Sequence, residues 1–319
     1  MSIKYKNIIF DGSNAVHRIS AANPPLSTRS GIRTEVTFGL LRLLSHVCQL
    51  NPAERCFVIM DGKGSRQIRR DIDPEYKAHR GADFTKADEA RIASMYKQVD
   101  EFWEAFGKHL PIVWMVSEKY EADDIMAMIA NTQANLQQHS LIVSGDKDLL
   151  QLVHQYTSVY SPNRNEHCNV ANFTQYTKGY PTPQAFLYGK CLQGDSGDHV
   201  PGIPGCGEVW ALKILEEHNW NIADVLQTPT ERFAKSKLGK AVLCSIGRDR
   251  IKKNYKLMSL LGHKVVRTQD IEIRYGHLDR GALKLNMAKF QFASLLASFN
   301  QFITPFLNFE RTRNEGKET

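Results

Sequence analysis

The sequence contains no apolar run that approaches the roughly 18 residues needed to span a membrane. Its six cysteines are scattered and include no CxxC pair, which argues against a zinc site and is typical of a reduced intracellular protein. The opening residues, MSIKYKNIIFDGSN, have the pattern of a buried strand and not of a secretion signal. These features exclude an integral membrane protein and predict a cytoplasmic one.

The composition is that of a globular protein. The chain has 319 residues, of which 42% are hydrophobic and 24% are charged. These proportions exclude a disordered or fibrous chain. The length predicts one large domain or two.

The basic residues are concentrated in one part of the chain. The segment 231–267 carries eleven Lys or Arg and only two acids, so its excess of +9 is larger than the +7 of the whole chain. A second basic segment, 63–80, has six Lys or Arg against three acids. Such clusters usually bind a polyanion, most often nucleic acid, although a solvated helix face would look the same.

The first half of the chain alternates apolar runs with helical patterns. Residues 6–12, 55–62, 111–116 and 140–146 have the pattern of strands, and residues 34–50 and 122–136 that of helices. This alternation predicts an α/β fold whose central, mostly parallel sheet is flanked by helices. A polar insertion over residues 63–108 is too long for a simple connection.

After about residue 181 the strand-like runs end and helical patterns dominate. We therefore divide the chain into an α/β part over residues 1–180 and a helical region over residues 181–308. The last residues, 309–319, are polar and are expected to form a disordered tail.

Carboxylates cluster in the sequence at the ends of predicted strands. Three apolar runs end in Asp, a helix begins with Glu-Ala-Asp-Asp, and a GDSGD segment follows at 194–198. The candidates are Asp11, Asp61, Glu121, Asp123, Asp124, Asp146, Asp148, Asp195 and Asp198. Any one of them could be a turn or capping residue. Together, at the carboxyl edge of a parallel sheet, they would repel one another unless cations neutralised them.

Hard divalent cations suit such oxygen ligands, and this predicts Mg²⁺, for which Mn²⁺ could substitute. Two ions about 4 Å apart would stabilise both the attacking and the leaving oxygen of a phosphodiester displacement.

A glycine-rich turn, VPGIPGCG, precedes a helix in the segment 200–215. Gly202, Gly205 and Gly207 permit close approach of the backbone, and the N–H groups of Gly205, Gly207 and Glu208 could bind a phosphate oxygen. Lys213 on the following helix would add charge. This pattern predicts a helix–hairpin–helix at about 197–218 that holds duplex DNA, although an ordinary turn between helices is the simpler alternative.

With these carboxylates and this glycine-rich turn, the sequence resembles the structure-specific 5′-nucleases. That family comprises flap endonucleases and 5′→3′ exonucleases, including bacteriophage enzymes and the nuclease domain of bacterial DNA polymerase I. The resemblance covers about residues 5–220. Its motifs occur in family order: FDGSNAVHR (10–18), VIMDG (58–62), EYKAHR (75–80), YEADDIMA (120–127), VSGDKDLLQL (143–152) and LQGDSGDHVPGIPGCGEVWA (192–211).

The resemblance implies a PIN-like fold and residue roles. Asp11, Asp61, Glu121, Asp123 and Asp124 would hold a first metal ion, and Asp146, Asp148, Asp195 and Asp198 a second. The insertion would form a helical arch over a 5′ single strand. At its base Tyr76 would stack on a nucleobase, while Lys77 and Arg80 would contact the scissile phosphate. Carbonyl groups near Ile203 and Cys206 would be candidates for binding K⁺.

The expected partner is DNA with a 5′ single-stranded end or flap, or an RNA/DNA primer junction, bound by a monomer in replication or repair. Lys252 and Lys253 are expected to contact its backbone. No clamp-binding motif is recognised. Two alternatives stay open: an RNA-cleaving nuclease of the related PIN-like class, and a junction-binding protein without catalytic activity.

Overall fold

The computed structural model describes residues 5–78, 80, 83–260 and 266–315, and the side chains through residue 310. Its strands are β1 (Asn7–Asp11), β2 (Arg55–Asp61), β3 (Val113–Ser117), β4 (Ser140–Val143), β5 (Thr157–Ser161), β6 (Glu166–Cys168), β7 (Gly194–Asp195), β8 (Val200–Pro201) and β9 (Glu272–Tyr275). Its α-helices are α1 (Gly12–Ala22), α2 (Glu35–Leu50), α3 (Gln67–Ile72), α4 (Lys86–Ala105), α5 (Ala122–Asn135), α6 (Phe173–Tyr176), α7 (Pro183–Gln193), α8 (Glu208–Glu216), α9 (Ile222–Gln227), α10 (Glu231–Lys235), α11 (Lys237–Leu243), α12 (Ser245–Met258), α13 (Arg280–Lys289), α14 (Ala293–Ala297) and α15 (Phe299–Glu315). Short 3-10 helices span Gly107–His109, Lys147–Leu152, Ser196–Asp198 and Thr268–Asp270.

A seven-stranded sheet in the order β6-β5-β4-β1-β2-β3-β9 forms the centre of the molecule. The five inner strands are parallel, and the edge strands β6 and β9 run antiparallel to their neighbours. β7 and β8 form a separate two-stranded ribbon. The predicted α/β fold with a mostly parallel sheet is confirmed.

Helices cover both faces of the sheet. All five residues of β1 are buried, as expected for a parallel strand with helices on both sides. Its side chains alternate between two hydrophobic clusters. Ile9 joins the cluster that contains α5, α7 and α8, whereas Ile8 and Phe10 join the one that contains α1, α2, α4 and α15.

All four strands predicted from the sequence are present, but three strands of the large sheet were missed. β5 and β6 continue the sheet beyond β4. The expectation that strands end after residue 181 is wrong, because β9 pairs with β3 and β7 pairs with β8. The edge strand β9 is too short and too polar for its pattern to be distinguished from a loop.

The C-terminal helix packs against the α/β part of the chain. The predicted division at residue 180 therefore does not separate two independently packed regions. α15 packs against α2, and the Ser45 hydroxyl donates a 3.1 Å hydrogen bond to the Phe302 carbonyl. The expectation of a disordered tail from residue 309 is wrong up to Glu315, because α15 continues to that residue and buries Phe309. Residues 316–319 lie outside the described residues.

The insertion at 63–108 contains α3, α4 and a 3-10 helix. A capping box between Thr85 and Asp88 begins α4. From Met95 onward, α4 buries Met95, Val99 and Phe102 in the hydrophobic core. In the described residues, no helix is long and apolar enough to cross a membrane.

Candidate active site

A cavity of ≈ 600 Å³ lies at the carboxyl ends of β1, β2 and β4. Five of the nine predicted carboxylates line it: Asp11, Asp61, Glu121, Asp123 and Asp146. Three basic side chains, Arg66, Lys77 and Arg80, line it as well. Because neighbouring parallel strands end at one edge of the sheet, residues distant in the sequence meet there.

Asp11 is the last residue of β1 and the N-cap of α1, where its Oδ1 accepts a 2.9 Å hydrogen bond from the Asn14 backbone. Its Oδ2 accepts a 2.6 Å hydrogen bond from the Ser144 hydroxyl, which follows β4. Burial raises the pKa of Asp11 to about 7, and the Ser144 hydrogen bond opposes this shift. Two hydrogen bonds therefore hold the Asp11 carboxylate in place, and a nearby cation would favour its ionised form.

Asp61 is the last residue of β2 and forms hydrogen bonds with two helices. Its backbone N–H donates a 2.8 Å hydrogen bond to the Ser13 hydroxyl of α1. Its Oδ1 accepts a 2.7 Å hydrogen bond from the backbone of Ala122, the first residue of α5. The helix that carries Glu121-Ala-Asp-Asp at its N-terminus is thus fixed against the strand that ends in Asp61.

The three carboxylates at the start of α5 surround Arg69 of α3, which is buried. The Arg69 guanidinium lies 2.8 and 3.0 Å from the two oxygens of Asp124 and 3.3 Å from Asp123, and it also pairs with Glu121. Its Nε donates a 2.9 Å hydrogen bond to the Leu257 carbonyl of α12. Arg69 thereby joins the acidic helix start to the basic helix α12.

Lys77 and Arg80 lie beside the carboxylates. The Lys77 ammonium is 2.7 Å from Glu121 Oε1 and 3.6 Å from Asp198 Oδ2. The Arg80 guanidinium is 2.6 Å from Asp198 Oδ1. Burial alone would raise the pKa of Glu121, but Arg69 and Lys77 lower it to about 2.

Tyr76 does not have the environment that base stacking requires. Its ring is only 2% exposed, and the Lys77 ammonium lies 4.8 Å from the ring centroid. Its hydroxyl lies 3.2 Å from both Glu121 and Asp198. In this structure a nucleobase cannot reach the face of the ring, because the core and the neighbouring ion pairs enclose it.

The remaining acids form a second group around Lys190 of α7. The buried ammonium lies 2.8 Å from Asp195 Oδ2 and pairs with Asp148. Burial would raise the pKa of Asp195, but Lys190 lowers it below its usual range. Asp198, which was expected in this group, instead contacts the Lys77 side of the site.

The types of side chain present suit divalent cations. The nine candidate carboxylates outnumber the five basic side chains near them, Arg66, Arg69, Lys77, Arg80 and Lys190, so a formal negative excess remains. In the described part of the chain no Lys or Arg forms an ion pair with Asp11, Asp61 or Asp146. Among those same residues, no group of three or more acids, histidines or cysteines is arranged to hold a metal ion. The acids at the start of α5 are instead arranged around Arg69, and Asp148 and Asp195 are arranged around Lys190.

The segment predicted to form the hairpin lies between α7 and α8. The Gly202 carbonyl accepts a 3.0 Å hydrogen bond from Arg250 of α12. Gly205 has a positive φ of 82°, which favours glycine, and Gly207 is the N-cap of α8, before Glu208. Lys213 lies on the same helix, above the exposed ring of Trp210.

Both residues proposed for K⁺ binding are buried. The Ile203 carbonyl already accepts a 2.9 Å hydrogen bond from the Cys206 backbone, which leaves one lone pair for any ion. On α12, Lys252 is exposed, whereas Lys253 pairs with Asp73 at 2.7 Å.

Sequence analysis missed several residues of the site. Arg69 is one of six basic residues in the segment 63–80, and nothing in the pattern distinguishes it. Lys190 lies within an otherwise ordinary amphipathic helix. The close spacing of Ser144 to Asp146 and Asp148 was the only available signal for that serine.

The profile of the family described as 5′-3′ exonuclease, N-terminal resolvase-like domain, matches residues 6–178. The chain belongs to this 5′-3′ exonuclease family. It is 28% identical over 289 residues to the 5′-3′ exonuclease of Aquifex aeolicus, covering 90% of this chain and 93% of that protein. It is 30% identical over 208 residues to DNA polymerase I of Pseudomonas aeruginosa, covering 65% of this chain but only 22% of the polymerase. The predicted relationship to 5′-nuclease enzymes is confirmed.

Solved structures share the fold. A complex of the bacteriophage T5 D15 flap endonuclease with DNA and metal ions superposes with a TM-score of 0.66 at 21% identity, covering 80% of this chain and 89% of that one. The T5 5′-exonuclease with bound divalent metal ions (zinc) gives a TM-score of 0.66 at 22% identity and the same coverage.

Proposed function

We propose that the protein is a Mg²⁺-dependent 5′-nuclease that hydrolyses a phosphodiester bond of DNA near the junction of a single strand with a duplex. The supporting observation is the cavity of ≈ 600 Å³, which five carboxylates and three basic side chains line together. The carboxylates suit divalent cations, and the basic groups suit the phosphate that those cations would act on. Replication or repair is the corresponding cellular role.

The nine carboxylates named above would hold the metal ions, and the uncompensated Asp11, Asp61 and Asp146 are the strongest candidates. Bound divalent ions would supply Lewis acidity and an activated water for in-line attack, with 5′-phosphate products. Binding and orientation of the DNA strand would depend on the protein's own side chains and backbone.

Lys77 and Arg80 are the groups that would stabilise charge on the scissile phosphate. Lys77 has a φ of 52°, in the left-handed region, and its backbone N–H donates a 2.9 Å hydrogen bond to the Asp198 carbonyl. Such a conformation costs about 1–3 kcal/mol and persists at sites where position matters. The hydrogen bond fixes the start of the side chain, so the ammonium is directed toward Glu121 and the cavity. A fixed cation stabilises a phosphoryl transition state without reorganisation.

Duplex binding would fall to the hairpin and α12. Gly207 is the N-cap of α8, so the backbone N–H groups at this helix start would be available to bind a DNA phosphate. The Arg250 hydrogen bond to Gly202 fixes the hairpin to the basic helix. A K⁺ ion at the remaining carbonyl lone pairs would complete this contact.

The test is cleavage of a 5′-labelled flap duplex in Mg²⁺, with parallel reactions in EDTA and with an RNA flap. We expect a cut near the junction that is lost in EDTA. Asp146→Asn should abolish cleavage while leaving flap binding measurable, since the neutral amide removes a candidate ligand and little else. Normal cleavage by this variant would remove Asp146 from the metal site.

The same assay separates the alternatives. Preferential cleavage of the RNA flap would indicate an RNA-cleaving nuclease. Binding without cleavage in Mg²⁺ and in Mn²⁺ would indicate a junction-binding protein.

A further inference from the structure

The carboxylate cavity has an aromatic wall that the proposed chemistry does not use. Phe84 and Tyr96 line it, together with Ile92 and His17. The Phe84 side chain is 46% exposed and Tyr96 is 48% exposed. Large aromatic side chains that remain exposed inside a cavity, and not on an open surface, indicate a binding partner for their faces.

These aromatic residues are positioned by structured elements. Tyr96 and Ile92 are four residues apart on α4 and so lie on the same side of the helix. The His17 ring of α1 packs edge-on against the Tyr96 ring, with 6.3 Å between centroids. Phe84 immediately precedes Thr85, whose side chain caps α4. The aromatic wall is therefore packed against α1, the helix that Asp11 caps.

The other lining groups define what could bind there. Arg66, Lys77 and Arg80 would attract an anionic group, while the carboxylates would need cations between themselves and that anion. A ligand that fills this cavity therefore needs a flat apolar face and a phosphate group. A nucleotide of a single strand has both, and base–aromatic stacking is tolerant of sequence.

The burial of Tyr76 supports this assignment. The Tyr76 ring is 2% exposed and offers no free face, whereas Phe84 and Tyr96 are exposed within the same cavity. We propose that Phe84 and Tyr96 form a nucleobase-stacking subsite, which holds bases of the 5′ single strand beside the carboxylates. This inference rests on the proposed nuclease function and adds to it the residues that position the strand.

The test measures stacking directly, under conditions that prevent cleavage. A flap duplex with 2-aminopurine in its single-stranded 5′ segment is titrated in Ca²⁺, a hard divalent cation that can neutralise the carboxylates in place of Mg²⁺. Uncut substrate on a gel verifies that no cleavage occurs, and both fluorescence and affinity are recorded. We expect binding to wild type to quench the fluorescence. Phe84→Leu and Tyr96→Leu should each reduce the quenching and weaken binding about tenfold, which corresponds to about 1.4 kcal/mol and lies within the range of one stacked base.

Matched controls separate stacking from general loss of structure. Tyr96→Phe should retain the quenching, because the ring face remains. Tyr275→Leu removes a side chain that is 61% exposed on β9, outside the cavity, and should have no effect. A flap with abasic sites in the single strand should bind wild type and the two leucine variants equally, since no base is left to stack.

The results distinguish this inference from the proposed function. If wild type cleaves the flap in Mg²⁺ but the leucine variants still quench fully, or lose equal affinity for normal and abasic flaps, the subsite is wrong and the nuclease stands. If wild type neither binds nor cleaves the flap, both are wrong.

Discussion

The Arg69 guanidinium forms a bidentate ion pair with the Asp124 carboxylate, with Nη1–Oδ2 and Nη2–Oδ1 distances of 2.8 and 3.0 Å. The guanidinium is only 2% exposed, and Glu121 and Asp123 also face it. Arg69 therefore acts as a built-in counter-cation for the acidic start of α5. The proposed metal ions would bind to a cluster that is already partly neutralised.

Replacing Arg69 with Gln should destabilise the protein strongly when no divalent ion is present. Removing one partner of a buried ion pair leaves uncompensated charge and costs about 3–5 kcal/mol. Mg²⁺ should restore part of this loss, because a ligand that binds the folded state at 100 times its Kd adds about 2.7 kcal/mol. Urea unfolding in EDTA and in Mg²⁺ measures both values.

Arg55→Gln is the control for this prediction. Arg55 is exposed at the start of β2, and its replacement should change the free energy of unfolding by less than about 0.5 kcal/mol. A loss for Arg69→Gln that is the same in EDTA and in Mg²⁺ would mean that the acids of α5 do not take a divalent ion in place of the guanidinium.

Lys190 has the same relationship to the second group of acids, since it pairs with both Asp148 and Asp195. Lys190→Met keeps the length of the side chain but removes its charge. We expect this variant to bind Mn²⁺ at least severalfold more tightly, because no ammonium competes for the two carboxylates. Isothermal titration calorimetry gives the affinity and the number of ions bound.

The exposed Lys147 provides the comparison, and Lys147→Met should leave the Mn²⁺ titration close to that of wild type. An unchanged affinity in Lys190→Met would show that Lys190 and a metal ion do not occupy the same position.

The sequence was sufficient to bring Asp11 and Asp61 together, because both end strands of a parallel sheet and such ends meet at one edge. It could not identify Arg69 or Lys190. Their roles depend on where α3 and α7 pack relative to acids that are up to 55 residues from Arg69 and up to 42 residues from Lys190, and a local pattern does not contain that information. The same limit applies to β9, whose pairing with β3 joins segments more than 150 residues apart.

Gly202 and Gly207 were both predicted to contact DNA, but the structure leaves different amounts of space for a side chain at the two positions. A Cβ on Gly202 would lie 2.1 Å from the Gln193 carbonyl oxygen, which is backbone and cannot easily shift. A Cβ on Gly207 would have nothing within 4 Å. Gly202→Ala should therefore destabilise the protein by about 1–3 kcal/mol or more through overpacking.

Gly207→Ala should cost only a few tenths of a kcal/mol, since Gly is modestly better than Ala at an N-cap. It should nevertheless weaken binding of a plain DNA duplex, because the added methyl group would stand between the backbone and a phosphate. Thermal unfolding and fluorescence anisotropy separate the two effects. Unweakened duplex binding by Gly207→Ala would mean that the hairpin does not approach DNA closely.

Lys252 and Lys253 are neighbours on α12, but only Lys252 is largely exposed, at 4.0 Å from Asp249. Lys253 forms a 2.7 Å ion pair with Asp73. We expect Lys252→Ala to reduce the slope of log affinity against log salt by about 0.9, the value for one phosphate contact on duplex DNA. Lys253→Ala should change the slope less, because its charge is already partly neutralised, and should lower stability by at most about 1 kcal/mol.

Lys289→Ala, on α13, is the control and should leave the slope at the wild-type value. These slopes come from flap-binding titrations in EDTA at several salt concentrations, and an unchanged slope in Lys252→Ala would mean that this face of α12 contacts solvent and not DNA.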